Sequence, residues 1–210
     1  MKIIFFGILL SNIAYAASSS GCDLHSFLEN KNANNTLTSA IAILQVKERA
    51  GWVKSGIKNA ETVWEHSSKV AKAAKIFFER RYPRQKKYAA HMGQFHDLGE
   101  FKVPDYTPHD KITNAEKHQQ EENAILELFN NEKQNPKKIK KILESWREYE
   151  EGETLVAKLV FDLDKMDAAI QALVYKNHGH DVEEFFPYSL GKVTDPELWK
   201  ILDYLIKKNQ

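Results

Sequence analysis

Residues 93–108, GQFHDLGEFKVPDYTP, set His96 and Asp97 side by side and follow them with Glu100 and Asp105. Neutral imidazole and ionised carboxylate are the usual nitrogen and oxygen ligands of first-row divalent metals, and a carboxyl group close by is a usual means of moving a proton. The stretch therefore holds the parts of a metal centre with an acid–base group beside it. His66 has a matching setting. Residues three and four apart share one face of a helix; His66 follows Val63 by three and precedes Val70 by four, and His96 lies four after Met92. Both histidines lean inward. A third segment must complete such a centre, and LVFDLDKMDAA offers Asp162, Asp164 and Asp167. At about 100° per residue, the apolar stripe of that segment runs through Leu159, Val160, Leu163, Met166, Ile170 and Leu173. Asp167 falls inside the stripe, with Asp162 and Asp164 on opposite flanks, so periodicity favours Asp167 and does not select Asp164.

The remaining histidines carry weaker signals. His25 belongs to a polar leader, His109 to a loop and His118 to the charged run KHQQEE, which reads as a solvated face. His178 and His180 flank a glycine after a helix, the composition of an exposed loop. His91, five residues before His96, lies off the same face and reads as structural.

The elements that must position these groups are helical throughout. Leu37, Ile41 and Leu44, with Lys47 and Glu48, predict a first helix ending near Gly51. TVWEHSSKVAKAAKIFFERRYP keeps helical spacing up to Pro83, and RQKKYAAHMGQFHDLG repeats the pattern with Gly99 as its expected stop. NAEKHQQEENAILELFNN is entered from Thr113 or Asn114, and Pro136 suits the first turn of the next helix. Residues 153–177 form the longest helix and DPELWKILDYLIKK closes the chain. No useful run alternates with period two. The expectation is an all-α domain of about six or seven helices.

The 210 residues fit one domain, and an apolar fraction of 42% suffices for one core. The balance of 30 basic and 29 acidic residues argues against binding a nucleic-acid polymer by bulk charge, while a small anion needs only a few local cations. Residues 1–16, MKIIFFGILLSNIAYA, read as a cleaved export signal: Lys2, an apolar run from Ile3 to Leu10, then Ala14-Tyr15-Ala16. Export to the periplasm or medium is the expectation, with residues 17–36 as a flexible leader. Cys22 is the single cysteine, so no intramolecular disulfide forms. Ser19 stands where a lipoprotein box has a branched aliphatic residue, and lipid anchoring at Cys22 is not expected.

The order His66, His96-Asp97, distal Asp resembles the HD-domain metal-dependent phosphohydrolases, and most closely the 5′-deoxynucleotidase branch, which removes the phosphate of deoxyribonucleoside 5′-monophosphates. RAGWVKSGIKNAETVWEHS, HDLGE with PDYTPHDK, KHQQEENAI, WREYEEGETLVAKLVFDLDKMDAAIQAL and EFFPYSLGK follow in the family's order from about Leu44 onward. The resemblance implies one HD bundle over residues 37–210, with the metal between helices. It places metal ligands at His66, His96, Asp97 and Asp164, selecting the second acid of DLD over Asp167. It implies that Glu100 is the catalytic carboxylate, that Asp105 engages the sugar and helps position water, that Arg49 binds the phosphate and that Trp52 shapes the deoxyribose pocket. A divalent ion such as Mn, Co or Zn, a nucleotide substrate and a homodimer are implied with them. The chain departs from the family at Ser55, where arginine is usual, at Ala60 for proline and at Pro104 for glycine. Two other readings share these residues: a phosphohydrolase for another small phosphate ester, and a non-catalytic nucleotide-binding module.

Overall fold

The computed structural model describes residues 36–130 and 135–209. The expected export signal, and the expected leader with Cys22 and His25, lie outside the described residues. Among the described residues the chain forms α1 (Leu37–Leu44), α2 (Ala50–Lys54), α3 (Val63–Arg81), α4 (Lys86–Phe95), a 3-10 turn (Leu98–Phe101), α5 (Asn114–Phe129), α6 (Pro136–Glu151), α7 (Leu155–Asn177), α8 (Phe185–Lys192) and α9 (Pro196–Lys208). Their only β feature is one antiparallel bridge between Glu48 and Thr62. The all-α expectation holds, with two helices more than the upper end of the expected count.

Both extra helices have a physical cause. The expected first helix is divided, because residues 47–49 turn aside to pair with residues 61–63. Val63 N–H donates to Lys47 C=O and Arg49 N–H to Glu61 C=O, each at 2.9 Å. Gly51, expected as the helix stop, instead lies inside α2. The second extra helix is α8, which the sequence reading did not predict; its Pro187 falls in the first helical turn, where a proline has no intrahelical bond to lose. Gly99 is a third correction. α4 ends at Phe95, and Gly99 sits in the 3-10 turn, where a Cβ would lie 2.5 Å from Cβ of Glu121.

Helices α3, α4, α6 and α7 carry the site. α3 starts at a capping box in which Thr62 Oγ1 accepts from Glu65 N–H and the Glu65 carboxylate accepts from Thr62 N–H. Gly93 lets α4 close on α3: a Cβ there would stand 3.1 Å from both Ala71 Cα and Val70 Cγ1. The close approach brings the His66 and His96 rings to 5.4 Å, centroid to centroid. α7 is packed by α3, α4, α6, α8 and α9. Leu98 and Phe101 of the 3-10 turn are sunk in a cluster with Leu44, Ile125, Ile142 and Trp146. Each such side chain contributes about 1.5–3 kcal/mol on burial, which anchors the turn that carries Asp97 and Glu100. Thr62→Ala removes the α3 cap and is expected to lower stability by about 1 kcal/mol, a thermal midpoint shift of about 2–4 °C. Denaturation followed by circular dichroism measures it.

Candidate active site

Asp97, Glu100, Asp105, Arg49 and Asp164 line one cavity of about 670 Å³. His66 and His96, both almost fully buried, stand behind two of these lining residues, Asp164 and Asp97. Their Nε2 atoms are buried without a hydrogen-bond partner. Around those two nitrogens stand two carboxylate oxygens. His66 Nε2 is 3.0 Å from Asp164 Oδ1 and 3.8 Å from Asp97 Oδ2; His96 Nε2 is 3.2 Å from Asp97 Oδ2 and 4.0 Å from Asp164 Oδ1. Ligands about 2.1 Å from a common divalent ion lie about 3.0–3.4 Å apart in octahedral or tetrahedral arrangements. His66 Nε2, His96 Nε2 and Asp164 Oδ1 lie within 4.8 Å of one another, close enough to share one cation that would complete the two orphaned nitrogens, and Asp97 Oδ2 stands beside them at 3.2 Å from His96 Nε2.

The orientation of each candidate ligand has a cause. His96 Nδ1 donates to Gly93 C=O at 2.8 Å, leaving the lone pair on Nε2. His66 Nδ1 makes a 2.8 Å bond to Asp167 Oδ2, with the same consequence. Asp164 presents Oδ1 because Oδ2 is occupied: the Tyr149 phenol donates to it at 2.8 Å and Lys165 Nζ pairs with it at 2.7 Å. The three acids of α7 thus divide their labour. Asp162 accepts from Thr194 N–H at 3.0 Å and Asp195 N–H at 2.7 Å, Asp164 joins the histidines, and Asp167 stands behind His66. The helical wheel's preference for Asp167 is corrected. Asp167 is buried as the stripe required, but its oxygen serves His66 from the far side.

Arg49 is the N-cap residue of α2 and spans the site mouth, its Nη1 3.5 Å from Asp97 Oδ2 and its Nε 3.7 Å from Asp105 Oδ2. Burial works against its charge, and the carboxylates of Asp105, Asp97, Glu100 and Asp164 outweigh that, so the guanidinium stays cationic. Burial likewise opposes ionisation of Asp97, but His96, Arg49 and His66 hold it well below the usual carboxylate range. Glu100 moves the other way. Burial, then the charges of Asp105 and Asp97, push its carboxyl well above the usual range. Asp105 accepts from Ala50 N–H at 2.7 Å, so Pro104 does not draw it away from Arg49. Ser55 folds its hydroxyl back to Gly51 C=O at 3.0 Å and supplies no cation.

Trp52 is placed differently from the expectation. Its indole is 2% exposed, packs 4.3 Å from Phe185 and 5.2 Å from Tyr175, and lies outside the cavity wall, as part of the core behind α2. The structure therefore gathers His66, His96, Asp97 and Asp164 at one point and Arg49, Glu100 and Asp105 around the opening, and leaves Trp52 beneath them. His118 pairs with Glu150 and His109 with Glu184, while His178 Nδ1 bonds Val174 C=O; none joins the cluster. His180 meets Tyr175 edge to face, and His91 sits against Phe95.

Sequence reasoning missed four supporting side chains. Tyr149 and Lys165 fix Asp164, Lys47 Nζ binds the carbonyls of Glu100, at 2.6 Å, and Val103, and Lys69 lies behind His66. Only Lys165 gave a signal, being adjacent to Asp164. The others come from distant segments that pair only in three dimensions.

A family model described as "HD domain" matches residues 41–200. The chain is similar to the 5′-deoxynucleotidase HDDC2 of Dictyostelium discoideum, 36% identical over 165 residues that cover 73% of this chain and 86% of that protein. Against the 5′-deoxynucleotidase HDDC2 of Homo sapiens the identity is 29% over 161 residues, covering 75% and 76% respectively. Among solved structures, a protein of Pyrococcus horikoshii matches with a TM-score of 0.63 at 25% identity, over 82% of this chain and 98% of that one.

Proposed function

The chain belongs to the HD-domain family, and from that premise we propose that it is a metal-dependent phosphohydrolase that removes the 5′-phosphate of deoxyribonucleoside 5′-monophosphates. The observation that carries the proposal is the convergence of two orphaned imidazole nitrogens and two carboxylate oxygens, the carboxylates lining a cavity that a half-buried arginine also lines. His66, His96, Asp97 and Asp164 would hold a divalent cation, with Mn, Co and Zn all suited to this mixed nitrogen and oxygen set. When bound, such an ion supplies Lewis-acid polarisation of the phosphoryl group and activation of water.

The protein's own groups do the rest. Arg49, clamped between Asp97 and Asp105, presents a fixed guanidinium to the nonbridging oxygens of a phosphate dianion, and its Nη1 has no hydrogen-bond partner within the protein. Lys117 and Lys165 add positive charge to the cavity wall. Glu100, a buried residue of the cavity wall, holds a proton and passes it to the leaving 5′-oxygen. Asp105 ties the loop after the 3-10 turn to α2 and faces the sugar. Trp52 supports α2 from below and shapes the pocket indirectly.

Phosphate release tests the reading. The purified chain, stripped of metal and reloaded with Mn²⁺, Co²⁺ or Zn²⁺, is expected to hydrolyse deoxyribonucleoside 5′-monophosphates faster than ribonucleotides or sugar phosphates. Equal rates on sugar phosphates assign a broader phosphate-ester substrate. Tight nucleotide binding without turnover under any metal assigns a binding module and overturns the proposal.

A further inference from the structure

Behind the metal ligands lies a second group of buried charges that the proposed reaction does not use. Glu61, His66 and Asp167 present ligand-type atoms within 4.8 Å of one another, the geometry of a cation site. The cation there is Lys69. Its Nζ lies 2.5 Å from Glu61 Oε1, 3.4 Å from Asp167 Oδ2 and 2.8 Å from Gln171 Oε1. His66 and Lys69 are three residues apart on α3, Asp167 and Gln171 four apart on α7, so two neighbouring pairs face each other across the helix interface. Burial disfavours the ammonium, but Asp167 and Glu61 outweigh it, and Lys69 stays charged.

The cluster reaches both parts of the site. Asp167 Oδ2, which Lys69 approaches, also takes the 2.8 Å bond of His66 Nδ1. Glu61 accepts from the Trp52 indole N–H at 3.3 Å through its other oxygen, and its backbone N–H donates to the Tyr175 phenol at 2.8 Å. Trp52 belongs to α2, whose N-cap is Arg49. An unbroken chain, Trp52–Glu61–Lys69–Asp167–His66, buried but for the partly exposed Lys69, therefore joins the helix that presents the phosphate-binding arginine to a histidine of the metal centre. Without Lys69, two carboxylates would stand close together in the interior with no cation between them, an arrangement that disperses or takes up protons.

We propose that Lys69 is a positioning residue that couples the two halves of the site. Through Asp167 it holds His66 with its Nε2 lone pair on the metal, and through Glu61 it holds Trp52 and the helix that carries Arg49. The inference rests on His66 being a metal ligand, as in the function proposed above. Co²⁺ binding to the full chain without substrate tests it, by chelator competition and by the visible spectrum of the bound ion. Lys69→Met and Asp167→Asn are each expected to weaken Co²⁺ binding about 10–100-fold and to alter the spectrum, as loss of an outer partner of a ligand histidine does. The double variant is expected to be little weaker than the worse single one, because both break one link. Glu61→Gln, which leaves the Asp167–His66 bond in place, is expected to keep Co²⁺ affinity and to raise KM for the nucleotide severalfold. Wild-type Co²⁺ affinity and spectrum in folded Lys69→Met and Asp167→Asn overturn the proposal; an unchanged KM in Glu61→Gln overturns its pocket half. Should Lys69→Met fail to fold, Asp167→Asn decides the metal half alone. A wild-type chain that binds Co²⁺ but turns over no phosphate ester defeats the proposed activity and leaves this titration decisive for Lys69.

Discussion

Asp164→Ala is expected to empty the metal centre and to abolish phosphate release, whereas Asp167→Ala leaves a weaker but occupied site. Asp164 Oδ1 is the atom of α7 that meets the unpartnered Nε2 of His66, at 3.0 Å, while Asp167 meets the opposite nitrogen. In the proposed site, loss of Asp164 removes a ligand and loss of Asp167 a support, worth about 10–100-fold in affinity. The ligand loss should therefore exceed that range. Alanine at 164 also strands Lys165, whose partly exposed ammonium pairs with Asp164 Oδ2, and takes the acceptor from the buried Tyr149 phenol. A buried polar group left unsatisfied costs about 1–3 kcal/mol, so lost stability alone could account for a dead Ala variant. Asp164→Asn separates the two effects: its amide oxygen still accepts from Tyr149 and Lys165, while the anionic ligand is gone. It should fold, show no thermal stabilisation by Mn²⁺ or Co²⁺, and carry no metal by elemental analysis. Metal retained in Asp164→Asn, together with an empty Asp167→Ala, would reverse the assignment of the two acids.

That pair of acids also marks where the sequence stops being legible. A helical wheel identifies a core-facing acid when one face of the helix is buried. α7 is packed by five helices, and Asp162, Asp164 and Asp167 are all nearly inaccessible. With no solvated face to contrast against, periodicity has nothing to choose by, and only the order of matching segments pointed to Asp164. His66 and His96 were legible because α3 and α4 each keep a polar side, so their inward lean showed in the spacing of Val63, Val70 and Met92. Turns defeated the reading for another reason. The break after α1 is caused by pairing of residues 47–49 with residues 61–63, a non-local bond that no window of sequence contains. Trp52 shows the limit of transferring a role by position: the residue is present, but its indole is turned into the core towards Glu61.

Glu100→Gln is expected to lower kcat by about 10²–10⁴-fold, the usual worth of general acid–base catalysis, with metal content unchanged. The side chain is 3% exposed and its Oε2 is buried without a hydrogen-bond partner, an arrangement that a purely structural carboxylate has no reason to keep. Lys47 binds the carbonyl of Glu100, and Leu98 and Phe101 anchor the turn, so the carboxyl is held in place by groups other than its own. Burial, Asp105 and Asp97 raise its pKa against the pull of Arg49 and Lys117. A carboxyl so raised carries a proton where ordinary carboxylates have lost theirs, which suits an acid that must protonate a leaving alkoxide. The sign of the pH dependence then follows. If the protonated form is required, kcat holds at low pH and falls as pH rises through the raised value; a base would give the opposite limb. Glutamine cannot titrate, so the alkaline fall assigned to Glu100 should vanish from the residual activity. Stability supplies an independent reading. Between the ordinary carboxylate pKa and the raised one, the folded chain holds a proton that the unfolded chain has lost, so stability falls with rising pH across that window. The Gln variant escapes that loss and, compared metal-free, should unfold at higher temperature than the parent on the alkaline side and at nearly the same temperature in acid. An unchanged kcat, or an alkaline limb that survives in Glu100→Gln, would move the acid role to another group.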